Sequence, residues 1–319
     1  MLHYRLHQHG HVRPRHIGLA VAVAAVWGFN FVVIEVGLDH LSPLLFSALR
    51  FSVAALPALF IGRPQVGWRW IIAVGLILGV VKFTLLFAGM DAGMPAGLSS
   101  LVLQSQAIFT VVFGVLLLRE RPRPLQYAGL GIAAAGIILV GARLGADRPA
   151  VAFVLVLAAA VAWGVSNVAV RRASPTDMVR FMVWVSVVAS PPLIVLSLVF
   201  DGASADLAAL RALNVESVSA LLYVAVLATL AGWGAWGMLI RHYGASTVAP
   251  FSMLVPFFGV ASGALVLGEA VHGTDIAGAA LVIGGVMLGA IRRGSPAATA
   301  ERQPVAEAAP VGVSGVSRQ

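Results

Sequence analysis

Long apolar runs, separated by short clusters of arginine, glycine and proline, dominate this chain. A bilayer-spanning helix needs roughly 20 largely apolar residues. Ten runs come near that length: 17–37, 43–61, 70–90, 95–118, 125–142, 150–170, 178–200, 217–240, 246–268 and 275–291. Each is expected to be helical, because a lone strand in lipid leaves its backbone polar groups unpaired. The expected class is all-α, a polytopic membrane protein with ten transmembrane helices.

The pattern is written twice. From Gly93 to Gly141 and again from His242 to Ala290, matching residue types recur at one spacing. Ala96 pairs with Ala245, Phe109 with Phe258, Gly114 with Gly263, Leu118 with Leu267, Glu120 with Glu269, Gly129 with Gly278 and Gly136 with Gly285. Trp27-Gly28 and Trp163-Gly164 form a second echo at a slightly shorter spacing. Five spans per copy is an odd number, so the second copy must enter the membrane upside down. The expected domains are two inverted five-helix repeats, 17–142 and 150–292, a plan found in secondary transporters whose substrate site lies where the halves meet.

Composition agrees with a lipid environment: 60% of residues are hydrophobic and 11% charged, with a mean hydropathy of +0.94. The absence of cysteine removes disulfides, thiol catalysis and Cys-ligated metals. A net charge of +8 suggests nucleic acid only until the arginines are mapped, for they sit in short loops between spans. With the N-terminus inside, the cytoplasmic loops and near tails hold fourteen arginines, and the opposite side holds only Arg143, Arg148 and Arg211. The positive-inside rule then places both termini in the cytoplasm. Residues 1–16 read as a basic cytoplasmic tail ahead of a retained first span, and 293–319 as a disordered cytoplasmic tail. The expected partners are a small-molecule substrate and the bilayer; nucleic acid is not among them, and the oligomeric state is left open.

Two basic residues fall inside spans. Lys82, the single lysine, lies twelve residues past Trp70, about 18 Å along a helix. A basic side chain at that depth costs roughly 2.5–3.5 kcal/mol, yet the acidic residues all fall in loops, tails or helix ends. Lys82 either faces a wet cavity and binds an anionic group such as a carboxylate, or it snorkels or stays neutral. Arg50 either pairs with Glu35, locking the first two spans together, or forms a second clamp on the substrate.

Trp27 and Asn30 share one helix face, as do Trp163 and the pair Ser166 and Asn167. An aromatic beside an amide, with glycine allowing close approach, suits a cavity holding a small polar molecule. Trp233 and Trp236 form a similar pair. Gln104 and Gln106 point about 200° apart on an ideal helix, so only one should border a cavity; Gln106 is the expected liner and Gln104 a second-line candidate. Pro191, Pro192 and Pro256 interrupt backbone bonds within spans. Glu120 and Glu269 end equivalent helices, where their charge opposes the helix dipole and requires a local partner; they read as structural or gating positions. The sequence contains neither a Walker-type phosphate loop nor an H-E-x-x-H pair, so no cofactor, metal or catalytic residue is expected, and a membrane enzyme lacks its nucleophile or acid–base pair.

The residues Gly93-Met94-Pro95-Ala96-Gly97-Leu98, Leu101 to Ala107, Glu120-Arg121 and Gln126 to Gly129 resemble the EamA branch of the drug/metabolite transporter superfamily. So do Trp27 to Val33, Leu49-Arg50-Phe51 and Val248 to Pro256, and the likeness covers roughly 16 to 292. It implies a carrier of the bacterial inner membrane, built from two inverted repeats, that exports small metabolites such as cysteine or O-acetylserine by alternating access. Lys82 departs from that pattern where an uncharged polar residue is usual, and Arg119 where a small residue is usual. A mid-membrane carboxylate is absent, which disfavours an Asp/Glu proton relay and leaves facilitated efflux or exchange unless Lys82 itself titrates.

Overall fold

The computed structural model describes residues 13–147 and 150–290, and every regular element among them is helical. The expected tails at 1–16 and 293–319 lie outside the described residues, apart from 13–16. In chain order the helices are α1 (Pro14–Leu38), α2 (Pro43–Leu59), α3 (Trp68–Asp91), α4 (Ala96–Leu118), α5 (Pro124–Asp147), α6 (Ala150–Ala173), α7 (Met178–Arg211), α8 (Val215–Tyr243), α9 (Ala249–Val266) and α10 (Gly273–Ala290). Among the described residues, eight are long and apolar enough to cross a membrane, where ten were expected; α2 and α10 are apolar but shorter. In α2 the cause is local. Pro57 withdraws a backbone donor, and the chain tightens into a 3-10 turn over Leu56–Leu59.

Helix boundaries follow from proline and side-chain caps. Pro14 and Pro43 occupy first-turn positions, where a missing N–H costs nothing. Ser42 accepts from the Leu45 N–H at 3.2 Å, Asp177 from Arg180, and Asn214 and Ser217 cap each other at the start of α8. Helix α7 outruns its expected end near residue 200. Its tandem Pro191-Pro192 stays helical, and after a π turn at Leu198–Gly202 the Ser197 hydroxyl donates to buried Asp206 at 2.8 Å.

The principal helix contacts join α5 with α10, α3 with α6, α2 with α7, α4 with α6 and α1 with α9. Several come in matched pairs. A Cβ added at Gly28 of α1 would lie 2.5 Å from the Phe258 Cβ on α9; one added at Gly164 of α6 would lie 2.6 Å from the Phe109 Cβ on α4. Gly28 corresponds to Gly164 in the repeat, and Phe258 to Phe109. In the α5–α10 crossing, Gly129 and Gly285 each face the other's carbonyl oxygen, as do Gly136 and Gly278.

Backbone irregularities are matched too. A π-helical stretch occupies Gly75–Lys82 in α3 and another occupies Tyr223–Ala231 in α8. The spacing that carries Ala96 onto Ala245 carries 75–82 onto 224–231. Wide π turns shift side chains out of α register and recur at functional sites. Short 3-10 turns interrupt α4 at Leu103–Ser105 and precede the straight part of α9 at Ala249–Met253.

Gly28→Ala should cost about 1–3 kcal/mol through overpacking against Phe258. The expected result is a lower thermal unfolding midpoint for the detergent-purified protein. Gly18→Ala, where an added Cβ meets nothing within 4 Å, should leave the midpoint in place.

Candidate functional site

A cavity of about 280 Å³ lies between α1, α2, α3, α4, α6, α7, α8 and α9. It joins a wider space of about 640 Å³ through shared walls at Gln106, Trp163, Asn167, Trp233 and Trp236. All ten residues singled out from the sequence border the first cavity: Trp27, Asn30, Arg50, Lys82, Gln104, Gln106, Trp163, Asn167, Trp233 and Trp236. No Asp or Glu does so among the described residues.

Lys82 and Arg50 are each 4% exposed. The Lys82 ammonium lies 3.4 Å from the centroid of Phe83 and 4.8 Å from that of Trp163. The Arg50 guanidinium carbon lies 3.6 Å from the same Phe83 centroid and 5.0 Å from that of Phe51. The two cationic centres are therefore separated by no more than the sum of their distances to Phe83, 7.0 Å. When both are protonated, they repel by about 2 kcal/mol or more at an effective dielectric constant near 20. Aromatic faces return roughly 0.5–2 kcal/mol per cation, which offsets only part of the cost of burial.

Arg50 does not pair with Glu35, as one sequence reading had it. Its Nη2 donates to Thr229 at 2.9 Å, while its Nε and Nη1 are buried without a hydrogen-bond partner. The π-helical stretch of α8 makes Thr229 available. Within it the Thr229 hydroxyl donates to the Val224 carbonyl five residues back at 2.7 Å, and its oxygen accepts from Arg50.

The remaining wall is aromatic and amide. Trp27 donates to the Ala228 carbonyl at 2.9 Å and packs at 5.3 and 5.2 Å from Trp233 and Trp236. Asn167 donates to the Gln106 Oε1 at 2.6 Å and to Thr110 at 3.0 Å, tying α6 to α4. The Asn30 Oδ1 is buried and unpartnered. Gln104 and Gln106 both border the cavity, against the expectation that only one could. The 3-10 turn at Leu103–Ser105 breaks the 100° per residue progression on which that expectation rested. Gln104 also reaches the Ser252 carbonyl at 3.4 Å.

The two ends of the molecule differ. At one end Glu269 accepts from the Ala96 and Gly97 N–H groups at 2.6 and 2.9 Å, capping α4. Beside it Arg143 holds buried Asp275 through two hydrogen bonds of 2.9 and 3.0 Å. At the other end Glu120, the repeat equivalent of Glu269, forms an ion pair with Arg171. Both glutamates nonetheless share one local design: the Glu120 N–H donates to the Gly114 carbonyl and the Glu269 N–H to the Gly263 carbonyl, each at 3.2 Å.

The model of the EamA-like transporter family matches residues 15–142 and again 150–290, so each half carries the family pattern by itself. The chain belongs to the EamA-like transporter family. It is 40% identical over 277 residues to the "Probable amino-acid metabolite efflux pump" of Salmonella typhimurium, covering 85% of this chain and 93% of that one. The Escherichia coli protein of the same description is 37% identical with the same coverage. The "Probable terminal-alkyne amino-acid exporter" of Streptantibioticus cattleyicolor is 27% identical, over 84% of this chain and 91% of its own. A protein crystal structure that is 20% identical superposes with a TM-score of 0.58, covering 87% of this chain and 96% of that one, and shows the same fold.

In this EamA-like transporter, sequence reasoning missed Phe83 and Thr229, two of the groups that meet the buried cations. A signal for the first was present: each intramembrane cation is followed directly by phenylalanine, Arg50-Phe51 and Lys82-Phe83. Arg119, noted as unusual, adopts a left-handed backbone with φ 55°. Its repeat equivalent is Gly268, at φ 67°, which explains why a small residue suits this corner.

A buried cation with only ring faces and a small cavity around it should destabilise the fold. Lys82→Met keeps the volume and removes the charge, so the thermal midpoint of the purified protein should rise by several degrees. An unchanged or lower midpoint would mean that the ammonium holds the helices together.

Proposed function

We propose that this chain is a secondary transporter that exports small amino-acid metabolites across the bacterial inner membrane. In this reading ten helices form two inverted five-helix repeats, 17–142 and 150–292, with both termini in the cytoplasm, and the cavity between them opens alternately to each side. The observation that carries the reading is a cavity walled by helices of both halves, holding two buried cations and, among the described residues, no acidic side chain. The descriptions of the Salmonella and Escherichia relatives as amino-acid metabolite efflux pumps support the same cargo class.

Lys82 receives the carboxylate of the cargo, Trp27, Trp163, Trp233 and Trp236 enclose its apolar part, and Asn30, Gln104, Gln106 and Asn167 meet its polar atoms. Cells overproducing the protein should excrete amino-acid metabolites. Lys82→Gln should remove at least tenfold of the efflux rate at unchanged expression. Efflux equal to that of an empty-vector strain, with the protein present in the membrane, would refute the proposal.

Alternating access is supported by the unequal ends. Glu269 and the Arg143–Asp275 pair tie the outward end shut, and the 640 Å³ space runs towards Arg171 and Met178 at the cytoplasmic end. The chain has no native cysteine, so single cysteines report access cleanly. Leu98→Cys, behind the Glu269 contact, should react slowly with an impermeant maleimide from outside. Adding Glu269→Gln should speed it severalfold and slow labelling of Thr110→Cys from the cytoplasm. Equal rates with and without Glu269 would exclude that carboxylate as a latch.

A further inference from the structure

The charge of the cavity specifies its cargo more narrowly than the class amino-acid metabolite, an inference that rests on the transport reading above. Arg50 is 4% exposed, borders the cavity and leaves its Nε and Nη1 without a hydrogen-bond partner. Lys82 stands within 7.0 Å of it, the limit set by their distances of 3.6 and 3.4 Å to the Phe83 ring. Charge-assisted hydrogen bonds of roughly 2.8 Å on either side of one carboxylate can reach both groups across such a gap. A free α-amino acid at neutral pH brings an ammonium along with its carboxylate. Among the described residues, no group bordering the cavity carries a negative charge to neutralise that third cation: apart from Arg50 and Lys82, its polar groups are amides, a hydroxyl, indoles and backbone atoms. A neutral N–H, in contrast, is well served. The Asn30 Oδ1 is a buried acceptor with no partner, and an unmade hydrogen bond at such an atom is costly.

We propose that Arg50 and Lys82 form a paired carboxylate clamp selecting net-anionic cargo without a free ammonium, and that N-acylated amino acids are the class that fits. The carboxylate bridges Arg50 and Lys82, the acylated nitrogen donates to Asn30, and the apolar side chain lies against the tryptophans. Arg50 is then a specificity-determining residue, because it sets which charge state the cavity admits.

Proteoliposomes holding the full-length protein provide the test, with four compounds: N-acetyl-leucine, leucine, leucinamide and N-acetyl-leucinamide. The expected order of counterflow is N-acetyl-leucine at least tenfold above leucine, with neither carboxyl-blocked compound moving above protein-free liposomes. N-acetyl-leucine should also change the intrinsic tryptophan fluorescence of the protein at lower concentration than leucine does. Arg50→Gln should narrow the ratio of N-acetyl-leucine to leucine severalfold, and Arg50→Lys should restore most of it. Should Arg50→Gln fail to fold, the compound series on the unaltered protein decides alone. Leucine moving as fast as N-acetyl-leucine, or faster, overturns the charge inference and leaves the transport reading standing. Absence of flux and of fluorescence change with all four compounds overturns both.

Discussion

Contact between backbones at glycine is the constraint on which the architecture rests. In lipid the hydrophobic effect no longer drives helix to helix, so association depends on close van der Waals packing. Gly129, Gly136, Gly278 and Gly285 let α5 and α10 approach until carbonyl oxygens occupy the space of missing Cβ atoms. Gly28 and Gly164 do the same for α1 on α9 and α6 on α4. Each contact joins a helix of one half to a helix of the other, and the repeat carries each contact onto its counterpart. A larger side chain at one site would therefore displace the wall of the cavity, since α1, α4 and α6 carry Trp27, Gln106 and Trp163.

The irregular backbone does the complementary task. A straight α-helix satisfies its own polar groups and presents side chains at a fixed angular step, which leaves little freedom for placing a site. The π stretch ending at Lys82 and its counterpart ending at Ala231 change that step in the two helices flanking the cavity. In α8 the consequence is visible at Thr229, whose hydroxyl reaches back to Val224 and so stands where Arg50 can donate to it. In α4 the 3-10 turn brings two glutamines to one space. Close packing fixes the frame, and departures from regularity aim the groups within it.

Much of this was legible in the sequence because membrane helices advertise themselves by length and apolarity, and because duplication doubles every signal. Helical spacing brought Trp27 with Asn30, and Trp163 with Asn167, to the same cavity where the structure has them. What failed had two causes. The glutamine prediction assumed an unbroken 100° step, and a three-residue turn defeated it. The Arg50–Glu35 pair assumed that opposite charges at similar depth find each other, but partner choice is a tertiary matter, and α8 supplied a hydroxyl instead. The extension of α7 to Arg211 was hidden for a related reason: residues 203–211 are mixed in polarity, and a buried Ser197–Asp206 bond decides their fate. The partner of Glu269 was likewise unreadable, because a backbone N–H leaves no mark in a sequence.

Duplication followed by divergence also explains why the two ends are not equivalent. The repeat spacing carries Gln126 onto Asp275 and Arg123 onto His272. Both pairs keep the same capping bond: Gln126 accepts from the Arg123 N–H at 2.8 Å, and Asp275 from the His272 N–H at 3.0 Å. Only the aspartate can add an ion pair, and it does so with Arg143 from the adjoining helix. A neutral glutamine in the same place caps its helix and can hold no such charge. If the two ends open in turn, the end with Asp275 and the backbone-capping Glu269 has more to break before it opens than the end where Glu120 rests on an exposed arginine. Exposed ion pairs contribute little, commonly below about 1 kcal/mol, whereas a carboxylate capping two backbone donors keeps its strength away from water. On the transport reading proposed above, with the Glu120 end facing the cytoplasm, the weaker closure lies on the side where an exporter must collect its cargo, and cargo filling the cationic cavity is the source of energy for releasing the far end.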